Sequence, residues 1–346
     1  MSTAPLRYRL MTQRLAWTVL AGLAILTALT ALACLMVGTE LTSPAELWHA
    51  LDDSFDPALR TIILDLRLPR IALAAGVGAA LASCGVLFQA MLRNPLAEPY
   101  ILGLSNGCAV GAILGYFLGI GQLGVTLLSF GGGALVIVTV LAISRGSFGV
   151  RSEAMLLSGV MIDAVTAAMI FLMLHFLGDQ VRSAVQWLLG DLSNTPSWSV
   201  PASLSLLGGL FVASLFSGRL LNALALGDDE AASLGLDVDR VKTILYLIAS
   251  FIVGVTVSFC GTIGFIGLVV PHILRRIVGA DHRLLLPASV LGGAIFLMLC
   301  DALSRAALPA IRSSGGELPV GAITALVGAP LFIYLLRSRA RGSVAG

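Results

Sequence analysis

Apolar stretches of about 20 residues recur along the whole of this 346-residue chain, and a stretch of that length crosses a bilayer as a helix. Lipid offers backbone amides and carbonyls no partner, so each crossing segment must close its own hydrogen bonds. The chain therefore reads as an all-α, polytopic membrane protein. Composition agrees. It is 58% apolar and only 12% charged, with a mean hydropathy of +0.97, whereas soluble domains run near about 25% charged. The net charge of +2 arises without a block of like sign, which gives no nucleic-acid footprint. Cys34, Cys84, Cys108, Cys260 and Cys300 all lie in apolar runs without CxxC spacing, which argues against a disulfide framework or a zinc site.

Apolar windows place helices near 15–37, 71–92, 100–119, 122–144, 154–175, 200–220, 243–262, 264–278, 285–308 and 319–337. The first follows Arg7, Arg9 and Arg14 but is too long for a cleavable signal core, so it reads as a retained span. Pro271 interrupts the short eighth helix, which suits a half-helix. Ten spans put both termini on one side. With the N terminus inside, fifteen basic residues fall on the cytoplasmic side, Arg93, Arg145, Arg151, Arg240 and Lys242 among them. Six remain outside: Arg60, Arg67, Arg70, Arg182, Arg305 and Arg312. This asymmetry predicts cytoplasmic termini.

Slid against itself by 176 residues, the chain matches Val77, Gly78, Cys84, Gly85, Leu92, Pro95, Ile101 and Gly103 with Val253, Gly254, Cys260, Gly261, Leu268, Pro271, Ile277 and Gly279. Shared composition would explain roughly two or three of these eight identities. Taken as a repeat, the copies begin five spans apart, cover about 71–175 and 243–337, and must cross the membrane in opposite directions. Inverted repeats are a transporter architecture, because related halves can expose a central path to either side in turn.

Two loops carry local signals. Ser43, Pro44 and Glu46 form a capping-box pattern ahead of Leu47, Trp48 and Leu51, which predicts a short amphipathic helix on the outer surface, anchored by Trp48. In the inner segment 221–242, Asp228, Asp229 and Glu230 crowd a helix start, Gly235 stops it, and Asp237 can cap a second helix. That makes a compact knob, either an ordinary connector or a docking element. No phosphate-binding loop, HExxH or paired-carboxylate spacing occurs, so the chain is not expected to hydrolyse ATP itself or to be a membrane hydrolase.

Polar residues inside spans are costly and need a reason. Asp163, near mid-bilayer on the fifth predicted helix, either lines a path or is hydrogen-bonded within the bundle. Asp301 can pair with Arg305 at i+4. Met155, Met161, Met169 and Met173 give the fifth helix a soft, adaptable surface, and with His175 they raise haem ligation, against which ordinary packing is the stronger reading. His272 is read as a packing or capping residue.

Longer motifs carry a resemblance that composition does not supply. Arg67-Leu-Pro-Arg70, Gly78-Ala-Ala-Leu, Gly85, Gln89, Arg93-Asn-Pro-Leu-Ala97, Pro99, Leu102-Gly103 and Ser105 resemble the signature of FecCD-type permeases. Leu156–Gly159, Trp187-Leu-Leu-Gly190, Leu226-Gly227, Ala231-Ala-Ser-Leu-Gly235, Gly264-Phe-Ile-Gly-Leu-Val-Val-Pro-His272, Arg275, Asp281-His-Arg283, Asp301, Arg305 and Glu317-Leu-Pro-Val-Gly321 extend it over essentially the whole chain. Asp163 departs from the pattern, where an uncharged residue is more usual.

The resemblance implies the permease of an inner (plasma) membrane ABC importer for ferric siderophores, haem or cobalamin. The expected partners are a second copy of the chain, two ATP-binding subunits beneath and a periplasmic or lipid-anchored binding protein outside. The cofactor, ATP, would sit on the partner subunit, with none in this chain. Under that reading the knob residues Gly227, Asp228, Asp229, Glu230, Ala231, Ala232, Ser233, Leu234 and Gly235 couple to the ATPase, and the acidic triplet, without an evident partner in this chain, faces basic residues there. Met161, Asp163, Met169 and Met173 line the path, the Arg145–Arg151 loop helps close it, and Arg67, Arg70 and Arg305 meet acidic residues of the binding protein. Capping of outer carbonyls or pairing with Asp65 is the plainer role for those arginines. The alternative function is a secondary transporter that uses an ion gradient through Asp163 and Asp301.

Overall fold

The computed structural model describes residues 13–38, 42–49, 56–146, 149–193, 199–311 and 317–344. Arg7, Arg9 and Arg312, which entered the charge asymmetry above, lie outside them. Among the described residues the chain is a helical bundle. α1 (Gln13–Met36) leads to the short α2 (Pro44–His49) and α3 (Pro57–Thr61), and a π-helical turn (Ile62–Arg67) runs straight into α4 (Leu68–Met91). α5 (Leu104–Leu118), α6 (Gly121–Ser144) and α7 (Ser152–Phe176) follow, then α8 (Val181–Leu188), α9 (Ser199–Leu226) and α10 (Asp228–Ser233). α11 (Val238–Cys260), α12 (Ile266–Val278), α13 (His282–Ile311) and α14 (Val320–Val344) complete it. The only strands described are β1 (Arg145–Gly146) and β2 (Gly149–Val150), a two-residue antiparallel ribbon between α6 and α7.

All ten expected helices are present, and seven of the described helices are long and apolar enough to cross a membrane. α12 is the expected short one. Its 13 residues rise about 20 Å, short of the roughly 30 Å hydrocarbon core. The capping box also forms as read. Ser43 N–H donates to Glu46 Oε2 at 2.7 Å and Glu46 N–H to Ser43 Oγ at 3.2 Å, and these bonds hold the Glu46 carboxyl below the usual carboxylate range. Trp48 is 74% exposed on that helix, free to meet an interface.

α4 forms the centre of the bundle. Its sequence is dominated by Ala, Gly, Ser and Cys, and small side chains let helix backbones approach where lipid supplies no hydrophobic drive. It packs on α13, α9, α12 and α11. Gly85 meets the backbone of Gly267 on α12, where an added Cβ would sit 2.0 Å from the Gly267 carbonyl oxygen. Toward the other end, Gly78 abuts Gly293 on α13 in the same way, at 2.2 Å. By contrast, α6 and α7 turn leucine, phenylalanine and methionine outward. The packing is also paired across the chain: α4 contacts α12 and α13, while α11 contacts α5 and α6.

Candidate functional site

The knob is built by three backbone decisions. α9 ends at Leu226, and Gly227 then adopts φ 142°, a conformation that a side chain would disfavour, so the chain turns sharply into α10. Ala231 is fully buried and anchors α10 against the bundle, while Asp229, Glu230, Ala232, Ser233, Leu234 and Gly235 are exposed. Gly235 takes φ 87° and ends the turn. Asp237 then caps not a second short helix but the spanning helix α11, accepting from Arg240 N–H at 3.1 Å. α11 starts at Val238, five residues ahead of the apolar window 243–262, because its first turn is polar.

A second correction concerns the acidic triplet. Asp228 has internal partners: its Oδ2 accepts from Lys242 Nζ at 2.7 Å, and Arg93 Nη2 lies 3.9 Å from its Oδ1. Lys242 is 1% exposed, so its ammonium must be matched from within. Of the triplet, Asp229 and Glu230 are the exposed carboxylates left without an assigned internal role, at a helix start whose dipole favours them, while Asp228 is partly exposed and tied inward.

At the opposite end of α4 the arginines are not free rim charges. Arg67, Arg70 and Arg305 are 8%, 8% and 3% exposed. Asp301, fully buried on α13, receives Arg70 Nε at 2.7 Å and Arg305 Nε at 3.0 Å, the latter being the expected i+4 pair. Arg70 also pairs with Glu317. Arg67 donates to Leu35 O at 2.9 Å and to Thr42 Oγ1 at 2.7 Å, and Arg305 donates to the carbonyls of Val37 and Cys34. The reason is the end of α1: its last carbonyls lack helical partners, and two guanidiniums supply donors. Carbonyl capping therefore describes Arg67 and Arg305, while Arg70 is held by the carboxylates of Asp301 and Glu317.

On α7 the four proposed path residues do not share one face. Met161 is 56% exposed and faces the shallow apolar groove between α6 and α7. Asp163, two residues on, is turned about 200° away. It accepts a hydrogen bond from Asn106 Nδ2 of α5 at 2.8 Å and lies beside Gly103 at the foot of α5. Met169 and Met173 do share a face; Met169 is exposed, and Met173 is half-buried against the core. His175 stacks edge-on with Phe176, and no group of three metal-ligating side chains occurs among the described residues. His272 is 2% exposed and packs edge-on against Phe332.

Two further polar side chains join distant parts of the chain: Gln89, which the sequence offers only as a motif residue, and Glu98, which it does not single out. Gln89 of α4 donates to Gly267 O at 3.0 Å and accepts from Arg275 Nη2 at 2.9 Å. Glu98, 8% exposed, accepts from the backbone N–H of Phe265 at 2.6 Å. Phe265 is a non-glycine residue at φ 69°, and this bond holds it at the start of α12. Each joins the region around α4 to α12 across more than 160 residues of sequence. Polar residues flanked by small apolar ones were the available signal, but their partners were not.

This is the architecture of a multi-pass helical membrane protein in which, among the described residues, polar side chains brace helix ends and one exposed knob. The family profile described as "FecCD transport family" matches residues 25–338. The chain belongs to the FecCD transport family. It is 41% identical over 281 residues to a cobalamin import system permease of Halobacterium salinarum, covering 81% of this chain and 74% of that one. It is 37% identical to a hemin transport system permease of Yersinia pestis, covering 93% and 96%. Among solved structures it resembles a metal-chelate type ABC transporter in an inward-facing conformation, with TM-score 0.80 and 30% identity over 93% of this chain and 99% of that one.

Proposed function

We propose that this chain is the membrane-spanning subunit of an ATP-driven importer that moves a bulky metal chelate, of the class of haem, cobalamin or a ferric siderophore, into the cytoplasm. The observation that carries the reading is the knob. It is fixed to the bundle through Asp228 and Ala231 and turns Asp229 and Glu230 outward, which suits docking of a basic surface on a separate ATPase subunit. The relatives' transport of cobalamin and hemin supports the substrate class.

In this reading both termini and the knob face the cytoplasm, and the chain acts as a homodimer with two ATPase subunits. The exposed apolar wall of α7, with Leu157 at 63% and Val165 at 61%, suits a second copy flanking a path beside Met169 and Asp163. The binding protein docks at the Arg70 end, where Arg67, Arg70 and Arg305 brace the surface from beneath. The inverted-repeat reading draws support from the paired contacts of α4 and α11. An ion-gradient mechanism is the poorer fit, because Asp301 is committed to two guanidiniums and offers no free carboxylate.

The test is the double substitution D229K/E230K. Facing like charge costs several kcal/mol at an interface, so affinity for the ATPase subunit should fall by more than about tenfold in detergent, with the knob otherwise folded. Unchanged co-purification of the ATPase subunit with a well-folded variant would remove the docking role.

A further inference from the structure

The geometry points to Lys242 as the positioning residue that transmits movement of the knob to α7. This rests on the reading of the knob as the ATPase dock. Lys242 sits on the second turn of α11 with its ammonium sealed from solvent, and it donates to side chains of two different elements. One is Asp228 Oδ2 at the first position of α10, at 2.7 Å; the other is Ser152 Oγ at the first position of α7, at 2.9 Å. Ser152 Oγ is in turn 3.3 Å from Met91 O, the last residue of α4, to which it donates. One buried cation thus ties the knob, α11, the foot of the exposed apolar helix α7 and the end of the central helix α4.

The chemistry favours a link rather than a plain anchor. The Asp228 side chain is 41% exposed and within reach of a docking partner, while the lysine it holds is 1% exposed. A shift of α10 must carry the ammonium with it or leave that charge unmatched in the interior, where an unpaired charge is strongly disfavoured. The cheaper response is for Ser152, and with it the start of α7, to follow. The remaining charged group at this point, Arg93 Nη2 at 3.9 Å from Asp228 Oδ1, is half exposed and can yield to solvent.

The readout is ATP hydrolysed per substrate transported, in the assembled permease, ATPase and binding-protein complex reconstituted in vesicles. K242M keeps the length of the side chain and removes the charge. It should leave affinity for the ATPase subunit unchanged while ATP consumed per substrate rises about tenfold, the equivalent of one lost charge-assisted hydrogen bond. D228N should raise the same ratio, and the double variant should be no worse than the poorer single. S152A, a mild change at a helix end, should raise it about threefold and serves if K242M fails to assemble. A ratio equal to wild type in folded K242M or S152A, or additive effects of K242M and D228N, would overturn the relay. Loss of the relay alone leaves the D229K/E230K docking defect in place. Loss of the docking reading shows as intact ATPase binding in that variant.

Discussion

Replacing Asp301 by Asn should cost about 3–5 kcal/mol and lower the thermal midpoint of the purified protein by on the order of 10 °C. Asp301 is fully buried, and its two oxygens separately match Arg70 and Arg305, both nearly inaccessible. An amide of the same shape leaves Arg305 without a counter-charge and Arg70 with only the partly exposed Glu317, and removing one partner of a buried ionic group is far more costly than removing the whole group. E317Q is the control. Glu317 pairs with Arg70 but is one-third exposed, so its loss should cost about 1 kcal/mol or less. A midpoint for D301N equal to that of E317Q would contradict the bracing role assigned to this network. Because Arg305 also bonds the last carbonyls of α1, the loss should extend to α1, visible as faster proteolysis near residue 38.

The second large effect is expected at the crossing of α4 and α12. G85V should give little monodisperse protein on size-exclusion chromatography, because the new Cβ would fall 2.0 Å from the Gly267 carbonyl oxygen, a backbone atom that no side-chain rotation can clear. Even G85A should destabilise by about 1–3 kcal/mol through overpacking. The consequence reaches further than the two helices, since Gln89 and its bonds to Gly267 and Arg275 lie one turn along the same seam. Gly208 on α9 supplies the comparison: a Cβ there meets nothing within 4 Å, so G208A should be neutral or slightly stabilising. Equal behaviour of G85A and G208A would show that α4 and α12 are not in close contact in the protein.

Much of the fold was legible because its dominant force is local in sequence. The length of an apolar run specifies a span, and all ten runs became helices, the Pro271-bearing one short as expected. Capping signals are also local, and Ser43 with Glu46 behaved as their spacing predicts. What the sequence withheld was depth and partnership. The positive-inside bias can assign Arg67, Arg70 and Arg305 to a side but cannot say that their side chains turn inward to Asp301 and the end of α1. Asp228 seemed partnerless because Lys242, 14 residues away, had been counted only as a cytoplasmic charge. Grouping Met161 with Asp163 ignored the helical period, which sets residues two apart on opposite faces. The bond from Phe265 to Glu98 spans 167 residues, and no single-sequence pattern announces such a pair.

A permease that depends on a separate ATPase imports its chelate only with that subunit present, and one uptake experiment tests this dependence directly. The chain is reconstituted in vesicles with its ATPase subunit and binding protein, and entry of labelled cobalamin, haem and a ferric siderophore is followed with ATP supplied on the knob side. At least one chelate should enter only when ATP, the ATPase subunit and the binding protein are all present, at a rate indifferent to ionophores that collapse proton and sodium gradients. Uptake by the chain alone driven by an imposed gradient, or ATP-supported uptake abolished by the ionophores, would contradict it.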